Sequence, residues 1–223
     1  MKLVFIRHGQ SEYNLANIFT GWLDPKLSLK GHQEAIQAGR DLKAAGITFD
    51  QVYTSRLSRA VQTTYHVLEE MDYLYLPVEK SWRLNERHYG ALQGLDKAKT
   101  AEKYGADQVH IWRRSFDVRP PQAEESQAFD DCYQDLDTSL LLPGESLKDT
   151  LERTLPYWQD RIAPDLKAGK NVLVVAHGNS LRSLTKQIEG LDDQAIVDLE
   201  LATGQPIVYD FDDQLQLINK SIL

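Results

Sequence analysis

Two stretches of this 223-residue chain end alike. "LVFIRHG" runs from Leu3 to Gly9 and "VLVVAHG" from Val172 to Gly178. Each is a continuous apolar run, as expected of a strand covered on both faces, and each stops at His-Gly. In open α/β sheets ligands bind beyond the carboxyl ends of the strands, so His8 and His177 can face one another across a single crevice. A glycine after each histidine permits a tight turn and lets backbone approach a ligand closely. A helix starting after His177 would present free N–H groups to an anion. The plain alternative is that each histidine only caps a strand, but the same pattern twice makes chemistry the better reading. A neutral imidazole there is a good nucleophile toward a phosphoryl group.

Cations cluster near the same motifs. Arg7 adjoins the first histidine. "TSRLSRA" places Arg56 and Arg59 three residues apart on one helix face near its N-terminus. Positive charge at that end opposes the helix dipole by about 0.3–1 kcal/mol, a cost that a bound anion would offset. Two solvated surface arginines are the competing reading, and Arg59 is the stronger functional candidate of the pair. "LNERHYGALQGLDK" gathers Glu86, Arg87, His88, Tyr89 and Lys97. Glu86 is a candidate proton shuttle beside a transferring phosphate, against the alternative of a structural Glu–Arg pair. "WRRS" adds Arg113 and Arg114, which diverge by about 100 degrees on a helix. Both can grip one ligand only at a helix end or through their long side chains. Walker-type, GxSxG and GxGxxG motifs are absent. The histidines and glutamates lack HExxH or CxxC spacing, so no metal site is expected. Trp22, Trp82, Trp112 and Trp158 read as core.

The elements that must position these residues follow from periodicity. Strands are expected at Leu3–Ile6, Gln51–Tyr53, Val172–Ala176, Ile207–Phe211 and Leu215–Ile218. Between them lie helical patterns. One runs from about Ser28 to Ala45, with Leu29, Ala35, Ile36, Leu42 and Ala45 toward the core and Gly46 as its stop. A second follows the short strand at Gln51, with Ser55 as N-cap. A third begins at a capping-box-like Ser146…Asp149 and contains Pro156, which should kink it. A fourth follows His177. Strands alternating with helices predict an α/β fold: a mostly parallel central sheet with helices on both faces. The reading is one domain over residues 1–223, interrupted by an irregular, acidic, proline-containing lid or insertion at about 115–145.

Composition sets outer bounds. A hydrophobic content of 42% with 26% charged residues suits a globular protein. The net charge of -8 argues against nonspecific nucleic-acid or anionic-membrane partners, yet a local cluster of arginines can still dominate its own pocket. No apolar run is long enough to span a bilayer, and "KLVFI" is too short for a signal segment. The single cysteine, Cys132, cannot form an internal disulfide, which fits a reducing cytoplasm.

The segments "LVFIRHGQSEYN", "FTGWLDPKLSLKG", "YTSRLSRAVQT", "LNERHYGALQGLDKAKTAEKYG", "WRRSF" and "AHGNSLR" together resemble the cofactor-dependent phosphoglycerate mutases of the histidine phosphatase superfamily. The resemblance runs from Lys2 to about Phe211. RHG alone is shared by the whole superfamily; "ERHYGALQGL" with "FTGW" and "AHGNSLR" is far more specific to the mutases. The resemblance implies that His8 becomes a phosphohistidine, that Arg7, Arg59 and His177 surround the transferred group, and that Glu86 moves the substrate hydroxyl proton. It assigns substrate phosphate and carboxylate to Gln10, Ser11, Asn14, Thr20, Gly21, Arg87, His88, Tyr89, Lys97, Arg113, Arg114, Gly178 and Asn179. The implied reaction interconverts 3-phosphoglycerate and 2-phosphoglycerate in glycolysis and gluconeogenesis. 2,3-Bisphosphoglycerate serves as phosphoryl primer and no metal takes part. The implied assembly is a homodimer or a homotetramer.

The resemblance fails in two places. The 115–145 segment is shorter than its family counterpart and lacks a His-Asp-Pro-Arg-Tyr-like stretch. The chain also stops at Leu223, where many relatives continue into a mobile tail. Both departures predict a less covered site, and so some hydrolysis of the phosphohistidine. Three rival readings remain. A phosphatase on the same scaffold would need the inner cations but not the outer ones. A noncatalytic phosphoanion-binding module would need neither His8 nor Glu86. A metal hydrolase would lose activity on chelation.

Overall fold

The computed structural model describes residues 1–124 and 133–223. Six strands form one sheet: β1 (Lys2–Arg7), β2 (Gln51–Thr54), β3 (Val78–Lys80), β4 (Val172–Ala176), β5 (Pro206–Phe211) and β6 (Leu217–Ile222). Their spatial order is β3-β2-β4-β1-β5-β6. The first four run parallel; at one edge β5 pairs antiparallel with β1 and β6 antiparallel with β5. The expected mostly parallel α/β sheet is therefore present. The three-residue β3 escaped the sequence reading because so short a segment shows no period. The last strand begins at Leu217 and not at Leu215, whose positive φ of 58° places it in the preceding turn.

The continuous apolar runs are explained by burial on both faces. Leu3 and Phe5 of β1 join Val172, Val174 and Ala176 of β4 in one core cluster. Val4 and Ile6 join Leu173 and Val175 in another on the opposite face. The first cluster is closed by α6 (Leu147–Tyr157), α7 (Ala163–Lys167) and α8 (Gly178–Glu189); the second by α2 (Leu29–Ala44) and α3 (Ser58–Glu70).

Helix ends follow local chemistry in part. Ser28 caps α2 by accepting from the Gly31 amide, and Ser146 and Asp149 form the expected capping box on α6. Leu29 and Ala45, expected in the core, are exposed instead, because they flank the ends of α2, where its apolar stripe has turned to solvent. Pro156 lies inside α6, and the irregularity it causes comes just after it, as a π-helical turn at Trp158–Ile162. Ser55 does not cap α3. That helix begins at Ser58, and the Ser55 hydroxyl is engaged elsewhere.

The described flanks of the 115–145 segment are packed. Tyr133 and Leu141 are buried against Trp22 and Trp82, and the Ala91 and Ala123 amides donate to the Pro121 and Pro143 carbonyls. Cys132 and the remainder of the expected lid lie outside the described residues.

Candidate active site

The register of the two central strands brings the histidines together. Arg7 lies opposite Ala176 in the β1–β4 ladder, so the next residue on each strand, His8 and His177, share the following step. Their ring centroids stand 4.9 Å apart, the spacing of neighbouring strands, and both rings are buried. The turn after His8 is pinned from α3 and α2. The Gly9 amide donates to Thr63 Oγ1, and a Cβ on Gly9 would stand 2.2 Å from the Gly31 carbonyl oxygen. Glycine is needed there for contact with the start of α2, not with a ligand.

Protonation is constrained by neighbours. His8 Nδ1 lies 2.7 Å from the Gly9 carbonyl, which can only accept, so Nδ1 carries the proton. Nε2 is then the lone-pair nitrogen, and it accepts from Arg59 Nε at 3.3 Å. Burial, then Arg59 and Arg7, holds His8 well below the ordinary imidazole value of 6.5. His177 is pushed down in the same way by burial, Arg59 and His8. Its Nε2 lies 2.7 Å from Ser55 Oγ. That oxygen also accepts from the Leu57 amide. His177 Nδ1 is buried with no hydrogen-bond partner among the described residues.

Arg59 sits in the first turn of α3, fully buried, with Nη1 and Nη2 on the carbonyls of Leu23 and Gly21. Burial pushes it down to about 10, so it stays charged at neutral pH. Gly21 adopts a positive φ of 54°, and a Cβ there would collide with the Gln93 side chain. Arg56 departs from the expected shared face: it precedes α3 and pairs with Asp135 outside the cleft.

Glu86 is buried with its carboxylate divided between two tasks. Oε1 accepts from the backbone amides of Arg87 (2.7 Å) and Asn179 (3.1 Å). The anion at the N-terminus of α8 is thus Glu86 itself, and Oε2 stays free beside Gly178. Behind this loop, Arg153 binds the carbonyls of Arg83, Asn85 and Glu86 and forms a buried pair with Glu145.

Around these groups lies a cleft with an open volume of about 110 Å³. Arg7, His8, Arg59 and Glu86 line its inner end; Asn14, Thr20, Gly21, Tyr89, Gly178 and Asn179 line its sides. Lys97 at the start of α4 (Lys97–Tyr104) and Arg113 and Arg114 at the end of α5 (Ala106–Arg114) form its rim. Two arginines at a helix C-terminus complement the dipole, and that end is where both can reach one ligand. Burial, then Arg113, lowers the Lys97 amine.

Five predicted site residues fall outside the lining, His177 beside His8 among them. Ser11 is consumed in capping α1 (Glu12–Leu15), and Gln10 is tied to Ser28 and Glu34. The His88 ring faces Trp22, with Nδ1 accepting from the Gly90 amide. Arg87 lies one layer back; its Nη2 binds the Arg113 carbonyl and Tyr89 Oη, while Nε and Nη1 have no hydrogen-bond partner among the described residues. Sequence reading also missed Phe19, Arg182, Glu200 and Leu201, which line the cleft. The "HGNSLR" run that follows His177 was the one available signal for Arg182. Among the described residues no group of three or more His, Cys, Asp or Glu could hold a metal ion, and no helix is long and apolar enough to cross a membrane.

A model of the histidine phosphatase superfamily (branch 1) matches residues 3–221. The chain belongs to this superfamily. It is 58% identical to 2,3-bisphosphoglycerate-dependent phosphoglycerate mutase 1 of Lactobacillus johnsonii and 59% identical to mutase 2 of Lactiplantibacillus plantarum. Each match covers the whole chain and 98% of the relative, which leaves no room for a long extra tail in either. Among solved structures, a mycobacterial glucosyl-3-phosphoglycerate phosphatase in complex with VO3 is 26% identical, with a TM-score of 0.72 over 94% of this chain and 92% of that one. A mycobacterial hydrolase, 23% identical over all of this chain and 96% of its own, shares the fold with a TM-score of 0.75.

Proposed function

We propose that this protein interconverts 3-phosphoglycerate and 2-phosphoglycerate through a phosphohistidine at His8, primed by 2,3-bisphosphoglycerate. The observation that carries the reading is the neutral Nε2 of His8 at the inner end of a cleft whose rim holds a second layer of cations. A phosphatase needs only the inner layer. The mutase relatives and the ligand's chemistry agree: the substrate carries a phosphate and a carboxylate, and must be held in two orientations.

The residues fit a polyanion. Arg7 Nε and Arg182 Nε, both on residues that line the cleft, are buried donors with no acceptor among the described residues, a costly state that anionic oxygens relieve. The modest volume of the cleft, below the few hundred Å³ of sites for drug-sized ligands, suits a three-carbon acid phosphate.

When bound, the bisphosphate supplies the phosphoryl group that loads His8. His8 Nε2 attacks phosphorus in line, forming N–P as the O–P bond breaks, and a proton held on Glu86 Oε2 passes to the leaving alkoxide to give the hydroxyl of the phosphoglycerate. Arg59 Nε–H, already aimed at Nε2, turns to the equatorial oxygens, where Arg7 and His177 also donate. In the return step Glu86 Oε2 takes the proton of the attacking substrate hydroxyl, and N–P breaks as O–P forms. Arg113, Arg114 and Lys97 hold the group that is not transferred. Vanadate, present in the complex of the phosphatase relative, mimics the five-coordinate phosphorus that such a site would hold.

This activity makes the protein a glycolytic enzyme acting on small phosphoglycerates in the cytoplasm, within one domain. The test is an assay of 3-phosphoglycerate with and without added bisphosphate, in the presence of a chelator. Primer-dependent 2-phosphoglycerate is expected. Inorganic phosphate as sole product would transfer the assignment to the phosphatase.

A further inference from the structure

Glu200 is a carboxylate on the wall of a cleft built for anions, and the transfer chemistry does not use it. The lining holds two carboxylates, Glu86 and Glu200. Glu86 is fixed by backbone amides; Glu200 instead forms an ion pair with Arg114 at the rim. The Glu200 side chain is 64% exposed and Arg114 is 23% exposed, so the pair sits where ligand enters and leaves.

Its location is built into the fold. Arg182 Nη2 holds the carbonyls of Ile196 and Val197 in α9 (Ala195–Asp198), and Arg7 Nη1 holds the Leu201 carbonyl at 2.8 Å. Two of the cleft's own arginines thus anchor the backbone on either side of Glu200, while its carboxylate remains free to leave Arg114.

We infer that Glu200 is a specificity-determining residue: it competes with the ligand for Arg114 and weakens retention of the more highly charged phosphoglycerates. The inference rests on the mutase reading above. Rim cations that bind every ligand equally tightly lower KM without raising kcat, and they slow product release. An internal competitor relieves this, and it does so most for the bisphosphate, whose second phosphate replaces the carboxylate of Glu200 at a guanidinium already occupied.

The test is a binding cycle over wild type, Glu200→Gln, Arg114→Ala and the double variant, with melting temperatures as a folding control. Glu200→Gln is expected to lower Kd for 2,3-bisphosphoglycerate about twofold to fivefold, the scale of an exposed ion pair, and for 3-phosphoglycerate by less. Added salt should shrink the effect, and the Arg114→Ala background should abolish it. An unchanged or raised Kd, or the same tightening without Arg114, overturns the proposal. Glu200→Ala provides a second variant should the amide bind Arg114 as well as the carboxylate does. If neither phosphoglycerate binds wild type at millimolar concentration, the mutase reading fails. Inorganic sulfate titrated into the same four proteins then decides the Glu200–Arg114 competition by itself.

Discussion

The inner end of the cleft and its rim solve different problems with different parts of the fold. At the inner end, His8, His177 and Arg59 are almost wholly buried, held by the carboxyl ends of adjacent strands and the first turn of a helix that packs on the sheet. Burial there sets chemistry: it keeps both imidazoles neutral and leaves donors aimed at the space a phosphoryl group would fill. At the rim, Lys97, Arg113 and Arg114 stand half-buried on the ends of two short helices, with Glu200 opposite. Their charges are screened by water and adjustable by neighbours. Reaction type is set where the protein is least deformable, and ligand preference where it is most exposed.

The sharpest way to break this division is to remove each group from the inner end. His8→Ala should abolish acid-labile labelling by 2,3-bisphosphoglycerate. Glu86→Gln should still label but lower kcat by about 10²–10⁴-fold, the usual contribution of a general acid–base. Label on the alanine variant would show that Nε2 of His8 is not the acceptor. At the rim the expected pattern reverses. Arg113→Ala should raise KM for 3-phosphoglycerate about tenfold or more, the value of a charged hydrogen bond, with phosphoenzyme formation nearly unchanged. Loss of labelling in that variant would move Arg113 to the inner set.

A smaller effect separates the two regions by acidity. Below about pH 6.5 the unfolded chain binds protons at His8 and His177 that the folded chain excludes, so stability falls as pH falls. Each contributes a slope of up to about 1.4 kcal/mol per pH unit. Thermal melts from pH 7.5 to 5.5 should show Tm decreasing, with a shallower slope in His177→Gln and an unaltered one in Arg113→Ala. An identical slope in wild type and His177→Gln would contradict the buried neutral imidazole.

Which features were legible beforehand divides along similar lines. The strand-His-Gly repeats, the Ser28 cap and the Ser146–Asp149 capping box were readable because each signal lies within one element, a few residues long. Arg56 and Arg59 show the limit: three apart, they were expected on one face, but α3 starts at Ser58 and only Arg59 enters the cleft. Ser55 shows it again, since its hydroxyl serves a histidine 122 residues away and not the nearby helix.

The sequence by itself determined that two apolar strands end in imidazoles and that arginines accumulate in a handful of loops and helix ends. Pattern and residue chemistry are local, so they survive without coordinates. Only the tertiary structure decided that β1 and β4 are neighbours in the register that makes His8 and His177 meet. It alone decided that Glu86 caps α8 and that Arg7 and Arg182 bring Glu200 to the rim. Those contacts join residues from 14 to 194 positions apart. Their existence depends on how the whole chain closes around its core, which no local signal records.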